Sequence, residues 1–369
     1  LASIAVLICS SFFDAAAQNE KKVSERNEQW TWQWREKDVS LELKLRGRVE
    51  FNDDYTDVVS ISPGGSLHIK DERGGKTRRI EITPSGDGSL NRSYSVNGEA
   101  RPYDREAQEY LARFLNEATQ QAGLDAAPRA RKILSSRGAS GLLDETSKIR
   151  SDYVKRIYFQ ELIKSGSLDA QTAHRMIDQV AREVTSDYEK AQTLIKLADA
   201  PLDRSQWSAA YIEATRSITS DYERKRTLSA LLTEGKLSRD ELLLAIKAAS
   251  ELSSDYEKAE TLIKVSQGPN EKNDWGAAYI EATRGIGSDY EKARVLMTLL
   301  NKGNLSREEL LLMVKSAAGM SSDYERARVL IKVTSAAKGD ETVRNAVIDA
   351  ARAMSSDYER ERVMRAASR

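Results

Sequence analysis

Between residues 39 and 51 apolar side chains alternate with polar ones: Val39, Leu41, Leu43, Leu45, Val49 and Phe51 share one parity. A period of two is that of a strand with one buried face. Shorter strands are predicted at 57–61, 66–70, 77–83 and 90–96. Pro63-Gly64-Gly65, Arg73-Gly74-Gly75, Ser85-Gly86-Asp87-Gly88 and Asn97-Gly98 between them are turn material. Five strands in order, joined by short turns, predict an antiparallel meander. The period then changes to that of a helix over residues 104–122, where Ala107, Tyr110, Leu111, Phe114, Leu115 and Ala118 form a broad apolar stripe behind Pro102 and Asp104. A helix with that stripe closes the sheet, giving a small α+β domain over residues 30–123.

From residue 124 onward the helical period persists and the pattern repeats. The tripeptide Ser-Asp-Tyr occurs seven times, with aspartates at Asp152, Asp187, Asp221, Asp255, Asp289, Asp323 and Asp357, spaced by 35 and then by 34 residues. Such a period marks a two-helix unit that buries its apolar face only by stacking on its neighbours. The expected fold is therefore mostly α: a right-handed α-solenoid of about seven 34-residue two-helix repeats over residues 124–369, preceded by the small α+β domain. Residues 126–137 and 142–149 read as a degenerate leading unit. Residues 357–369 supply a first helix without a second, so either that helix covers the core or the sequence continues in a longer protein.

Each unit carries its own boundary signals. In Ser322-Asp323-Tyr324-Glu325 the serine can accept first-turn amides and the glutamate can return a bond to the serine's backbone, a capping box. The same pair recurs at Ser186 and Glu189, Ser220 and Glu223, Ser254 and Glu257, Ser288 and Glu291, and Ser356 and Glu359, while the first copy has Val154 instead. Asp323 favours the positive end of the helix dipole. Tyr324, Ala327, Leu330 and Ile331 fall on one stripe expected to be buried. Second helices open on Leu305-Ser306 with Glu309 behind, or, in alternate units, on Trp207 and Trp275, whose surroundings recur at a distance of 68 residues. Gly166, Gly235 and Gly303 stand where first helices should stop.

The start of the chain is different again. Residues 1–13 carry no charge, and Ala15-Ala16-Ala17 follows, the pattern of an export signal or signal-anchor remnant over residues 1–17. The mature protein is then expected to begin at Gln18, with a polar linker over 18–29. Cys9 is the single cysteine and would leave with the signal; Ser10, Ser11 and Phe12 after it do not match a lipidation site. No later run is long and apolar enough to span a bilayer. The expected location is periplasmic or secreted.

Charge and chemistry narrow the function. Lys plus Arg and Asp plus Glu both number 57, so no global positive field draws nucleic acid. The basic group Arg73, Lys76, Arg78 and Arg79 reads as a solvated hairpin face. His68 and His174 are the only histidines and lie more than 100 residues apart, which supplies no zinc motif. Nucleophile elbows and phosphate loops are missing, and no catalytic residue, metal or cofactor is implied. A pair of carboxylates meeting in space leaves no motif, so a hydrolase acting on a cell-wall polymer stays open.

Candidate binding residues are aromatic. Trp30, Trp32 and Trp34 share a face of an extended segment. They can form a platform for a peptide, a glycan or a membrane surface, or they can cover the sheet. The repeated Asp and Tyr favour packing and capping, since a ligand rarely touches all repeats alike. Trp207, Tyr211, Trp275 and Tyr279, on the varying second helices, are the stronger partner-binding candidates in the array.

One resemblance bears on location. Thr56-Asp57-Val58-Val59-Ser60-Ile61-Ser62-Pro63-Gly64-Gly65, then Gly75-Lys76-Thr77-Arg78-Arg79-Ile80-Glu81 and Arg92-Ser93-Tyr94-Ser95-Val96-Asn97-Gly98, resembles uncharacterised bacterial extracytoplasmic regions. The similarity runs through Tyr103-Asp104 into Arg150-Ser151-Asp152-Tyr153. Some of those regions accompany membrane metallopeptidases of the beta-lactam-sensor type, whose zinc helix this sequence lacks. The resemblance implies an outward-facing sensory or scaffolding region and carries over no catalytic residue. The sequence thus points to a non-enzymatic exported scaffold or protein-binding module of the bacterial cell envelope, with another envelope protein or a peptide as partner. The alternative is the sensory ectodomain of an envelope signalling system.

Overall fold

The computed structural model describes residues 20–26, 29–234, 237–268 and 275–368, and the chain divides between Ala126 and Ala127 into two units. The expected signal at 1–17 and the glycine stop at Gly235 lie outside the described residues.

Among the described residues the first unit holds nine strands: β1 (Glu20–Arg26), β2 (Gln29–Glu36), β3 (Val39–Arg46), β4 (Val49–Phe51), β5 (Val58–Ile61), β6 (Ser66–Arg73), β7 (Lys76–Pro84), β8 (Leu90–Val96) and β9 (Glu99–Arg101). Seven of them form one antiparallel sheet in the order β1-β2-β3-β6-β7-β8-β9, and β4 and β5 pair separately. The expected five-strand meander is not kept in order: β5, read as its second strand, leaves the main sheet, so β3 pairs with β6, and β9, which was not expected, joins beyond β8. Two further expectations change. Residues 20–26, read as part of a polar linker, are a strand hydrogen-bonded to β2. The alternating run from Val39 to Phe51 is two strands, because Gly47 takes a left-handed φ of 68° and turns β4 out of the main sheet.

That turn lies close against the one before β6. A Cβ on Gly65 would come within 2.7 Å of the Arg46 carbonyl oxygen, 2.8 Å of Ile61 Cγ2 and 2.9 Å of the Ser62 carbonyl oxygen. Two of these three obstacles are backbone and cannot swing aside. Gly65→Ala is therefore expected to lower stability by about 1–3 kcal/mol, read as a drop in the urea midpoint.

Register explains the core of this unit. Trp32 faces Leu43, Leu43 faces Ile69, Ile69 faces Ile80 and Ile80 faces Tyr94, so one buried row crosses five strands. Helix α1 (Arg105–Gln121) covers it with Ala107, Tyr110, Leu111, Phe114, Leu115 and Ala118, all buried. Asp104 starts the helix by accepting the Glu106 and Ala107 amides. A charged group enters this interior: the buried Asp71 carboxylate accepts the Tyr110 hydroxyl at 2.9 Å and Arg73 Nε at 2.8 Å. Burial raises the Tyr110 pKa and keeps the phenol protonated as the donor. Arg73 also reaches Glu117 at 2.8 Å, so part of the basic group works as internal bracing.

The second unit is helical. After α2 (Ala126–Thr146), broken at Gly138 where φ is 66°, helices alternate between two kinds. The first kind opens on Ser-Asp-Tyr: α3 (Asp152–Lys164), α5 (Asp187–Ala198), α7 (Asp221–Glu234), α9 (Asp255–Gln267), α11 (Asp289–Lys302), α13 (Asp323–Ala336) and α15 (Asp357–Ala367). Between them stand α4 (Ala170–Glu183), α6 (Ser208–Thr215), α8 (Arg239–Ser250), α10 (Gly276–Ala282), α12 (Arg307–Ala318) and α14 (Glu341–Arg352). Each first helix packs on the next first helix, from α3 through α15, and each second helix on the next second helix, from α4 through α14. Gly166 and Gly303, at φ of 68° and 78°, follow α3 and α11 as stops. Among the described residues no helix is long and apolar enough to cross a membrane.

Candidate functional site

The five residues at the start of the first helices do five different jobs, except that α3 has Val154 in place of the glutamate and Asp357 of α15 pairs with Arg360 on its own helix. The serine side chain accepts the amide three places on: Glu189 from Ser186, Glu257 from Ser254, Glu291 from Ser288, Glu325 from Ser322 and Glu359 from Ser356. The reciprocal bond expected of a capping box is found in the second helices instead, at Ser238 with Glu241 and Ser306 with Glu309. In the first helices the serine amide has another acceptor.

That acceptor is the aspartate of the preceding unit. Asp152 takes the Ser186 amide at 2.8 Å, Asp187 takes Ser220 at 2.7 Å, Asp221 takes Ser254 at 2.7 Å, and Asp255 takes Ser288 at 2.7 Å. Asp289 and Asp323 do the same for Ser322 and Ser356, both at 2.7 Å. The residue before each serine adds a second amide at five of these junctions, from Thr185, Thr219, Ser253, Gly287 and Ser321. Each aspartate is thus a clip from one unit to the start of the next, a charged acceptor meeting amides that the helix leaves orphaned. The recurrence of aspartate was visible in the sequence; its partner, 33 residues away, was not.

The fifth residue closes the unit from within. Buried Lys190 and Lys258 donate to the Ser217 and Gly285 carbonyls, each at 2.7 Å, just past the ends of α6 and α10. Burial lowers the Lys190 pKa, while Asp187 and Asp152 pull it the other way. The fourth residue, the glutamate released from capping, pairs with arginine: Arg226 with Glu223 at 2.7 Å, Arg294 with Glu291 at 2.6 Å, Arg328 with Glu325 at 2.7 Å. Arg156 and Glu189 make the same kind of pair between neighbouring units.

The tyrosine is left facing out. Tyr153, Tyr188, Tyr222, Tyr256, Tyr290, Tyr324 and Tyr358 are 40% to 66% exposed, which corrects the expected buried stripe beginning at Tyr324. Ala327 and Leu330 are buried as expected, and Ile331 is half-buried. The tyrosine sits at the second helical position, directly after the clip aspartate. Among the described residues these seven and Val59 are the large apolar side chains that stand exposed. A cation rests over several of the rings: Arg156 over Tyr153 at 5.1 Å, Arg226 over Tyr222 at 5.6 Å, Arg294 over Tyr290 at 5.9 Å, Arg328 over Tyr324 at 5.8 Å and Arg362 over Tyr358 at 5.7 Å.

The aromatic residues singled out as partner-binding candidates lie elsewhere. Trp207, Tyr211, Trp275 and Tyr279 are all buried, the two Trp-Tyr pairs meeting at 5.9 and 5.5 Å between ring centroids. The Tyr211 hydroxyl donates to the Thr227 carbonyl at 3.0 Å. Their size fills the space between layers of helices, so they offer no surface to a partner. Trp32 is fully buried with its ring edge-on to Phe114 at 6.1 Å, and Trp30 and Trp34 are half-buried against the same core. The three indoles share a face because of strand parity, and that face is the one α1 covers. They cover the sheet.

Among the described residues no three His, Cys, Asp or Glu side chains gather as a metal site. His174 is exposed with its ring nitrogen 2.6 Å from the Gln206 carbonyl oxygen, and His68 stands 3.7 Å from Glu81 on the sheet. A cavity of about 690 Å³ is lined by residues including Asp203, Arg204, Ser208, Ser238 and Glu241. Its glutamate is occupied in holding the Ser238 amide at 2.6 Å and the Ser208 hydroxyl. No family model, curated protein or solved structure matches this chain.

Proposed function

We propose that residues 127–369 form a right-handed α-solenoid of two-helix repeats, and that the protein is a non-enzymatic scaffold or protein-binding module working outside the cytoplasm in a bacterial cell envelope. The row of seven exposed tyrosines carries this reading. The recurring tyrosine was read as a packing residue because a ligand rarely touches all repeats alike; its exposure in every unit takes it out of the core and puts one ring per unit where another macromolecule can meet it. The clips support the solenoid, because they join each unit to the next by the same bond. The uncharged opening run and the resemblance to extracytoplasmic regions support the location.

Two measurements test the reading. Fractionation of bacteria expressing the full gene is expected to place the protein in the periplasm, the envelope or the medium; recovery in the cytoplasm alone removes the location. Crosslinking in such cells is expected to yield a partner protein that disappears when Tyr222, Tyr256 and Tyr290 are changed to serine. Crosslinks that persist undiminished in that variant would move the binding surface away from the tyrosines.

A further inference from the structure

We propose that strand β1 is a dimerisation edge, on which a second copy of this chain adds its own β1 antiparallel, with Val23 of one copy opposite Val23 of the other. This contact belongs to the first unit and stands apart from the tyrosine row.

Among the described residues one long margin of the main sheet is open. β1 is its outermost strand, paired with β2 from Glu20 opposite Arg35 to Arg26 opposite Gln29, and no described strand lies on its other side. A strand paired on one side only presents a row of amide and carbonyl groups along the other, a template for a further strand. The opposite margin differs. There β9 is three residues long, and its Arg101 already pairs with its own Glu99 at 2.9 Å. The seven residues of β1 can exchange about six to eight backbone hydrogen bonds with an antiparallel partner, roughly twice what β9 offers.

The order of charges along β1 selects the occupant. Glu20-Lys21-Lys22-Val23-Ser24-Glu25-Arg26 reads negative, positive, positive, neutral, neutral, negative, positive. A two-fold axis at Val23 sets Glu20 opposite Arg26, Lys21 opposite Glu25 and Lys22 opposite Ser24, each pairing occurring twice by symmetry. Every charge opposite another charge then meets its opposite. Slipping the register by one residue sets Lys21 opposite Arg26 in one direction and Glu20 opposite Glu25 in the other. Slipping it by two sets Lys22 opposite Arg26 or opposite the same lysine of the other copy, and a parallel in-register pair sets every charge against its like. Charges on an edge strand keep unrelated strands away. The same charges, in this order, admit a second copy in one register. Because such a contact uses both β1 edges at once, it closes at two chains.

The test uses protein purified from cells expressing the full gene, followed by sedimentation equilibrium at low salt. A reversible monomer–dimer equilibrium is expected, with a dissociation constant on the order of micromolar, as suits a single strand pair. Lys21→Glu opposes two carboxylates and Glu25→Lys opposes two ammonium groups, so each variant alone should lose at least about tenfold in dimer affinity. Mixed in equal amounts, the two variants restore both pairings across the axis, and the double variant Lys21→Glu, Glu25→Lys restores them between identical chains. Both should associate within about threefold of the native protein. The rescue in the mixture is a readout that loss of fold cannot imitate, and thermal unfolding should stay at the native position throughout. A native protein that remains monomeric up to about 100 μM would overturn the proposal. So would a dimer that either single reversal leaves intact, or a mixture that associates no better than its components. The tyrosine crosslink is a separate readout, so any of these results sinks the β1 contact and leaves the partner-binding reading where it stands.

Discussion

Replacing Trp275 by alanine is expected to destabilise the protein by about 3–5 kcal/mol, the cost of emptying a large, fully packed aromatic site. Trp275 is 1% exposed, meets the Tyr279 ring edge-on at 5.5 Å and lies under the Lys302 ammonium group at 5.2 Å. Trp207 holds the corresponding position two units earlier. Urea denaturation followed by circular dichroism reads the loss directly, and Trp275→Phe, which keeps a ring in place, should lose only about 1–2 kcal/mol. Tyr324→Ser supplies the contrast. That ring is exposed, and its removal should shift stability by less than about 0.5 kcal/mol. If Trp275→Ala unfolds at the native urea concentration, the indole is not part of the interior and belongs again among partner-binding candidates.

The second large effect is expected at the clips. Asp187→Ala and Asp221→Ala each strip a charged acceptor from the amides that begin the next first helix, at a cost of about 1–2 kcal/mol. The sites bond to different serines, so the double variant should lose about 2–4 kcal/mol. Asp357→Ala is the internal control. Its carboxylate is largely exposed and pairs with Arg360 on the same helix, so its loss should scarcely register. A double variant no less stable than Asp357→Ala would remove the clip as a source of stability.

Acidity provides a second readout at Asp187. Burial pushes its carboxyl pKa up, but the Thr219 hydroxyl and the Ser220 and Thr219 amides together hold it below the ordinary value of 3.8. A carboxylate with a depressed folded pKa contributes in full above its unfolded value and loses that contribution as pH falls through the folded one. The gap between native protein and Asp187→Ala should therefore be widest near neutrality and shrink below about pH 4. A gap that stays constant down to pH 2 would show that charge on Asp187 does not matter.

Sequence pattern located most of these elements because short-range rules govern them. The α1 stripe from Ala107 to Ala118, the serine caps and strands β5 to β8 follow from periods and neighbours a few residues apart. Strand β1 was hidden because its polar sequence shows no apolar alternation, and it is a strand through its hydrogen bonds to β2. The break at Gly47 was hidden too, since Val49 and Phe51 keep the parity of Val39 on the far side of the turn.

The candidate site divides along the same line. Periodicity established that serine, aspartate and tyrosine recur together, that the units are helical, and that Trp and Leu versions of the second helix alternate. A periodic pattern records which residues return, and not which side of the helix its neighbours occupy. Only tertiary packing decided that Trp207 and Trp275 go inside while the recurring tyrosine of each repeat stays in water. It also decided that each aspartate serves the following unit more than its own helix dipole. The reason is geometric: stacking one first helix on the next brings a carboxylate to amides more than thirty residues along the chain, and turns the second helical position out into solvent.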